Sequence, residues 1–116
     1  MIYFTFYRCS WVKILGTKYA VGYVIITGLN HGLPTFGKVE KIITMNGTIV
    51  IFKYKTLNVV EYQERSNAYR VDLVNDIRLI KHEDLIDFHP LGLHKGFGCY
   101  ANKLFVVLRY RIDYMQ

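Results

Sequence analysis

The sequence is poor in cysteine and proline, with two residues of each among 116. Cys9 and Cys99 allow one disulfide but no disulfide framework, and such scarcity is typical of a reducing intracellular setting. Catalytic signatures are missing as well: there is no P-loop, no Gly-x-Ser-x-Gly nucleophile motif and no His-Glu-x-x-His metal motif. We therefore expect a protein that is not an enzyme, needs no cofactor, and is located in the nucleus or cytoplasm.

The chain also lacks a hydrophobic run long enough to cross a bilayer. The uncharged stretch 19–37 is interrupted by glycine, asparagine and proline, and the apolar N-terminal stretch is interrupted by Arg8 and Lys13. A basic leader and a small-residue cleavage site are missing from that stretch. These absences predict a soluble protein that has no membrane partner.

Acidic residues are scarce in the first half of the chain. Residues 1–60 carry seven lysines and arginines against the single acidic residue Glu40, whereas residues 61–116 carry eight basic and eight acidic residues. A one-sided positive field attracts nucleic acid, anionic lipid or an acidic protein. An ordinary soluble domain with scattered lysines can have the same excess of positive charge. The charge alone therefore does not show whether the protein has a charged partner.

Aromatic and β-branched residues are abundant, since 17 residues are Tyr or Phe, and these types favour strands. The length predicts one domain, 1–116, with an all-β fold: a small SH3-like barrel or a strongly bent antiparallel sheet, with an OB-type barrel as the alternative. One short helical turn is expected within Lys81–Phe88, before Pro90. Other strands are predicted at Ile2–Arg8, Tyr19–Thr27, Ala68–Leu73, Asp76–Ile80 and Leu104–Tyr110. Loops are predicted at Gly28–Pro34, Thr56–Asn67 and Leu91–Asn102, the second with a strand fragment near Val59–Tyr62.

The dipeptide Asn46-Gly47 lies between two β-rich runs, Phe36–Met45 and Thr48–Lys55. Both residues tolerate positive φ, so a two-residue hairpin turn is predicted. That turn pairs residues whose numbers sum to 93. The core face would then carry Val39, Lys41, Ile43, Val50, Phe52 and Tyr54, and the outer face would carry Lys38, Glu40, Ile42, Ile51, Lys53 and Lys55, with a Glu40–Lys53 ion pair.

His89, His94 and Cys99 form the one cluster with ligand chemistry, in a glycine-rich loop. A structural zinc site needs four ligands, and the fourth would have to be Cys9, His82 or Asp87 from elsewhere. Cys99 and His94 could also be a nucleophile and its base, but no signature surrounds the cysteine. We therefore predict neither a metal site nor a catalytic pair.

Lysines and tyrosines near the central hairpin are the remaining signal. Lys38, Lys53 and Lys55 on its outer face, with Tyr62 and Tyr69 downstream, are the candidate binding residues. The function predicted from them is recognition of a protein or peptide, including a chromatin-associated one. Weak, sequence-tolerant nucleic-acid binding through the basic N-terminal half is the alternative, because phosphates need cations and bases need aromatic platforms.

Four segments carry a resemblance to a known module: LPTFGKVEKI, NAYRVD, KHEDLIDFHPL and LRYRI. Over Tyr19–Ile112 they resemble an uncharacterised C-terminal module of animal proteins from fish and invertebrates, some of them derived from mobile elements. Members often have a histidine pair before Ala-Tyr, where this chain has Arg65-Ser66-Asn67, so no histidine site is expected there. The resemblance implies an accessory binding domain. A more distant likeness, to SH3-like chromatin readers, rests on fold class alone.

Overall fold

The computed structural model describes residues 6–108, and strands dominate them. The predicted all-β fold is confirmed, and the predicted helical turn is a single 3-10 turn, His82–Asp84, with a second at Gly98–Tyr100. No helix within the described residues is long and apolar enough to span a bilayer. The strands are β1 Phe6–Cys9, β2 Trp11–Ile14, β3 Thr17–Ala20, β4 Val24–Asn30, β5 Leu33–Met45, β6 Ile49–Gln63, β7 Ala68–Lys81, β8 Asp87–Leu91, β9 Leu93–Lys95 and β10 Leu104–Val107.

The main sheet is antiparallel and strongly curled. Its strand order is β8-β4-β5-β6-β7-β10-β9, with β1 added beside part of β5, so β8 and β9 lie at the two ends of this order. In the chain, only Gly92 separates them. The sheet must therefore bend until its edges meet at that glycine. We call this part the closed half: β4, β8, β9 and β10, with residues 33–37 of β5, 56–63 of β6 and 68–76 of β7.

The other end of the sheet stays unrolled, and we call it the open half. It consists of residues 38–45 of β5, 49–55 of β6 and 77–81 of β7, with β1 paired against 42–45 of β5. A separate hairpin, β2–β3, lies outside the main sheet and packs on one face of the open half. Thus β5, β6 and β7 run through both halves.

Two hydrophobic clusters form on opposite faces of this sheet. The barrel core fills the closed half and consists of Val24, Ile26, Phe36, Leu57, Tyr69, Val71, Leu91, Val106 and Leu108. The hairpin core lies beneath β2–β3 in the open half and consists of Tyr19, Ile25, Val39, Ile42, Phe52, Tyr54 and Leu85. Consecutive residues of a strand point to opposite faces, which is why Ile25 and Ile26 enter different cores.

The central turn lies at Asn46-Gly47 as predicted, but the loop has three residues, 46–48, and not the predicted two, and half of the predicted register is wrong. Asn46 and Gly47 have φ of 54° and 73°, and the amide of Thr48 donates to the carbonyl of Met45 at 3.3 Å. Next to the turn, however, Met45 pairs with Ile49 and Ile43 with Ile51, one residue away from the predicted register. Beyond an irregularity at Glu40 the predicted pairs return, with Val39 opposite Tyr54.

This β-bulge at Glu40 reassigns the faces of the strand. One extra residue reverses the alternation of side chains. Ile42 is therefore buried in the hairpin core, although it was predicted outside. Lys41 and Ile43, predicted inside, lie on the outer face. Val39, Phe52 and Tyr54 are buried and Val50 packs against the same core, as predicted.

Several predicted loops are strands. Gly28–Pro34 is the tight end of the β4–β5 hairpin, where His31 and Gly32 have φ of 53° and 80°. The polar stretch after Thr56 continues β6 to Gln63, because β7 pairs with it. The two predicted strands 68–73 and 76–80 are one strand, β7, and β9 lies within the loop predicted at Leu91–Asn102. The predicted strand residues 2–5 and 109–110 lie outside the described residues.

Candidate binding surface

The predicted lysines Lys38, Lys53 and Lys55 lie together on one face of the open half. Directly paired residues of neighbouring antiparallel strands point to the same face. Lys38 pairs with Lys55 and Lys41 pairs with Lys53, so four lysines form two adjacent cross-strand pairs. Lys41 was not predicted to belong to this group, and it does so because of the bulge at Glu40.

Neighbouring strands widen this face. Arg8 on β1 pairs with Ile43, which pairs with Ile51, and Ile51 pairs with Lys81. On β7, Ile77 lies opposite Lys55 and Leu79 lies opposite Lys53. We call the whole set the lysine face: Arg8, Lys38, Lys41, Lys53, Lys55 and Lys81, with the aliphatic side chains of Ile43, Ile51, Ile77 and Leu79 between them.

The positive charge of the lysine face is not neutralised within the described chain. The ion pairs of residues 6–108 are Arg70–Glu61, Arg78–Asp76 and His89–Asp87, and none contains a lysine. The predicted Glu40–Lys53 pair is not among them. Like charges placed directly opposite each other destabilise a sheet. A third such pair, Lys13–Lys18, lies alone on the β2–β3 hairpin.

Tyr62 and Tyr69, the other predicted site residues, lie far from the lysines. They pair with each other at the end of β6, seven residues beyond Lys55, which is about 23 Å along an extended strand. Their ring centroids are 4.9 Å apart, and Tyr69 is a barrel-core residue with 9% exposure. The hydroxyl of Tyr62 donates to Oδ1 of Asn67 at 2.6 Å. The structure therefore does not bring the tyrosines and lysines together.

One edge of β7 borders the lysine face and is free of partners among the described strands. β10 pairs only with Ala68–Val71 of β7, and β6 occupies the opposite edge. From residue 72 to residue 81, no strand of the described residues 6–108 pairs with the outer edge of β7. Ile77 and Leu79, which point to the lysine face beside this edge, are 50% and 64% exposed.

The sheet beneath the lysine face is held by the interactions on its other side. The hydroxyl of Tyr19 donates to the carbonyl of Phe88 at 2.7 Å and lies 3.3 Å from Nε2 of His82. Burial, with a smaller contribution from the charge of Asp87, raises the pKa of Tyr19 to about 12. Tyr19 therefore stays protonated and can donate, which joins β3 to β8.

The candidate ligand residues His89, His94 and Cys99 are not grouped with one another. Nδ1 of His89 lies 2.9 Å from Oδ1 of Asp87, His94 is on β9 and Cys99 is an exposed free thiol. Within the described residues, no three histidine, cysteine or acidic side chains come close enough to hold a metal ion. The absence of a metal site stays a prediction.

Two cavities lie away from the lysine face. One, of about 600 Å³, lies between the β2–β3 turn and the β8–β9 corner, and it is bordered by Lys18, Tyr23 and Pro90. The other, of about 560 Å³, is mainly apolar and is lined by Phe97, Tyr100 and Phe105. The predicted binding lysines and tyrosines line neither cavity. His89 borders the first cavity and His94 borders the second.

Comparison with known proteins adds no relationship. No family model matches the chain, and neither a curated protein nor a solved structure matches it. The curled, mostly β sheet fits a small barrel-like fold. The finer assignments, to an SH3-like barrel and to the animal module described above, stay predictions.

Proposed function

We propose that this protein is a non-catalytic binding module that recognises an acidic segment of a protein or peptide through the lysine face. One observation carries the proposal: two like-charge lysine pairs, Lys38–Lys55 and Lys41–Lys53, lie side by side on a sheet face with no acidic neighbour paired to them. This arrangement costs stability in the free protein. An acidic partner removes the repulsion, so the cost is recovered on binding.

The residues between the lysines favour a protein partner. Ile43, Ile51, Ile77 and Leu79 are aliphatic and suit the apolar side chains of a polypeptide. Sheets that bind single-stranded nucleic acid instead present aromatic rings on which bases stack. The tyrosines that the sequence suggested for stacking, Tyr62 and Tyr69, lie about 23 Å along β6 from Lys55. Phe6, two residues before Arg8 on β1, is an exposed ring on the lysine-face side, but a single ring does not provide the successive stacking surfaces that such sheets use.

Nucleic-acid binding is the second candidate, because the same cations can contact phosphates. Three or four lysine–phosphate contacts would give a slope of log affinity against log salt of about −3 to −4 on duplex DNA. Such contacts are sequence-tolerant, since phosphates carry no base information. The two candidates are therefore distinguished by whether the lysine face binds an acidic peptide or DNA more tightly at the same ionic strength.

A direct binding experiment tests the proposal. The probe is a capped ten-residue peptide in which glutamate alternates with valine, labelled for fluorescence anisotropy, and a short DNA duplex is measured in parallel. The test variant replaces Lys38, Lys53 and Lys55 with Glu, and the control variant replaces Lys13, Lys95 and Lys103 with Glu. Both variants change the net charge equally, but the control lysines lie outside the lysine face.

The expected result is peptide binding that the test variant weakens about tenfold or more and the control variant weakens much less, because close charges dominate in salt. Equal losses in both variants would show that net charge alone attracts the peptide. No peptide binding, with DNA binding of the steep salt slope given above, would support the second candidate instead.

A further inference from the structure

The free edge of β7 and the lysine face meet at the same residues, and we propose that the acidic partner binds there as an added β-strand. The occupant is an extended segment of another protein with acidic side chains at alternate positions. This inference rests on the proposed function, and it adds the mode of recognition. The site is the outer edge of Ile77–Lys81 together with the adjoining lysine face.

Backbone geometry makes this stretch suitable for strand addition. From Ile77 to Lys81, β7 pairs with residues 51–55 of β6 without a register shift, so its backbone is regular. A strand that is hydrogen-bonded on one edge directs every second N–H and C=O group to the other edge. An extended peptide can pair with those groups.

The length of the site is limited at both ends. Towards the N-terminus, Val74, Asn75 and Asp76 all lie opposite Thr56 of β6, and this bulge interrupts the regular edge. Oδ2 of Asp76 accepts hydrogen bonds from Thr56 Oγ1 and Arg78 Nε, both at 2.8 Å, which fixes the bulge. Towards the C-terminus, β7 ends at Lys81 before the 3-10 turn. About five residues of a partner can therefore pair here.

Charge determines which strand can bind. Lys81 lies on the lysine face of β7, Arg78 lies on its other face, and Lys53 and Lys55 lie on the neighbouring strand. A second copy of this chain would bring the same cations against these, and each copy has a formal net charge of +6. A strand with glutamate or aspartate on the lysine face instead faces only cations and aliphatic side chains there.

Distances along the sheet allow the acidic side chains to reach the lysines. Neighbouring strands are about 4.8 Å apart, so a partner residue opposite Leu79 lies about 10 Å from Lys53, with β7 between them. Long side chains such as lysine and glutamate span diagonal separations on one face. Leu79 contributes an exposed aliphatic surface beneath that contact.

Backbone methylation of the peptide tests the inference. Two derivatives of the glutamate–valine peptide are needed, one with N-methyl groups on the glutamates and one with them on the valines. In an added strand the amides of one residue type point to β7, and those of the other type point to solvent. One derivative should lose at least about tenfold in affinity and the other should bind like the parent peptide, a difference that corresponds to 1.4 kcal/mol.

The outcomes separate this inference from the proposed function. If the parent peptide binds and both derivatives bind equally well or fail equally, strand addition is wrong while recognition by the lysine face stands. If the parent peptide does not bind at all, both are wrong. As an independent measurement, amide hydrogen exchange in the complex should slow at alternate residues of Ile77–Lys81, and unchanged exchange there contradicts strand addition.

Discussion

The closed and open halves share three strands yet use the same sheet face in opposite ways. Leu57 and Lys55 are two residues apart on β6 and point to the same side. Leu57 is buried in the barrel core because the sheet curls around it, whereas Lys55 lies on the lysine face, where the sheet no longer curls. The closed half buries that face and the open half exposes it, which is why we propose the open half as the site where a partner binds.

Each half depends on its own core, and removing a core phenylalanine gives the largest expected effect. Phe36 in the barrel core and Phe52 in the hairpin core are both fully buried. Phe36→Ala and Phe52→Ala should each lower the free energy of unfolding by about 3–5 kcal/mol. Because β5, β6 and β7 cross both halves, chemical denaturation should show one transition for the sheet in both variants. Two separate transitions in either variant would show that the halves fold independently.

The turn at the end of the open half gives the next largest effect. Gly47 has φ of 73°, which a β-branched side chain adopts only with strain. Gly47→Val should therefore destabilise the protein by about 1 kcal/mol or more. Thr48→Val is the matched control, since Thr48 is equally exposed and does not have positive φ. Equal melting temperatures for the two variants would contradict the predicted turn geometry.

The turn could be predicted from sequence because its chemistry is local, whereas the faces of β5 could not. The bulge at Glu40 lies where β5 changes partners on one edge: β4 pairs with it up to Lys38 and β1 from Ile42. Such a change depends on residues distant in the chain, so alternation alone placed Lys41 inside and Ile42 outside. Arg8 and Lys81 were missed for the same reason, because only strand pairing brings them to the lysine face.

Polarity misled the prediction of β6 in a different way. The stretch after Thr56 contains many polar residues and was predicted as a loop with only a strand fragment near Val59–Tyr62, but β7 supplies backbone partners for it up to Gln63. Beyond Leu57, β6 pairs only with β7 among the described strands, and an edge strand with solvent on one face needs few apolar residues. Composition and turn signals were enough to predict the all-β fold class, while strand lengths depended on long-range pairing.

The like-charge pairs of the open half provide a test in which stability and binding move in opposite directions. Lys41→Glu puts a negative charge directly opposite Lys53, which replaces repulsion by attraction. The free energy of unfolding should therefore rise by about 0.2–1 kcal/mol. The same change should weaken binding of the acidic peptide. Lys103→Glu makes the same charge change in a loop and should do neither. If the variant is more stable but binds the peptide as well as the parent does, the lysine face is not the binding site.

The smallest expected effect is the pH dependence that comes from His82. Burial lowers the pKa of His82 from its ordinary 6.5, with a weaker opposing influence from Glu83. Above pH 6.5 the imidazole is neutral in both the folded and the unfolded state. Below it the unfolded chain binds the proton first, so stability falls as pH decreases. The melting temperature should decrease between pH 7 and 5, and less so in His82→Gln, even if that variant is less stable at pH 7. An equal decrease in both proteins would exclude His82 as the source.

We propose that a partner binds at the lysine face of the open half, and nuclear magnetic resonance tests this most directly. The glutamate–valine peptide is titrated into isotope-labelled protein while the backbone amide shifts are followed. We predict shifts that change together in residues 38–43, 51–55 and 77–81, with the closed half unaffected. Changes centred instead on the cavity lined by Phe97, Tyr100 and Phe105, or no changes at millimolar peptide, would contradict the claim.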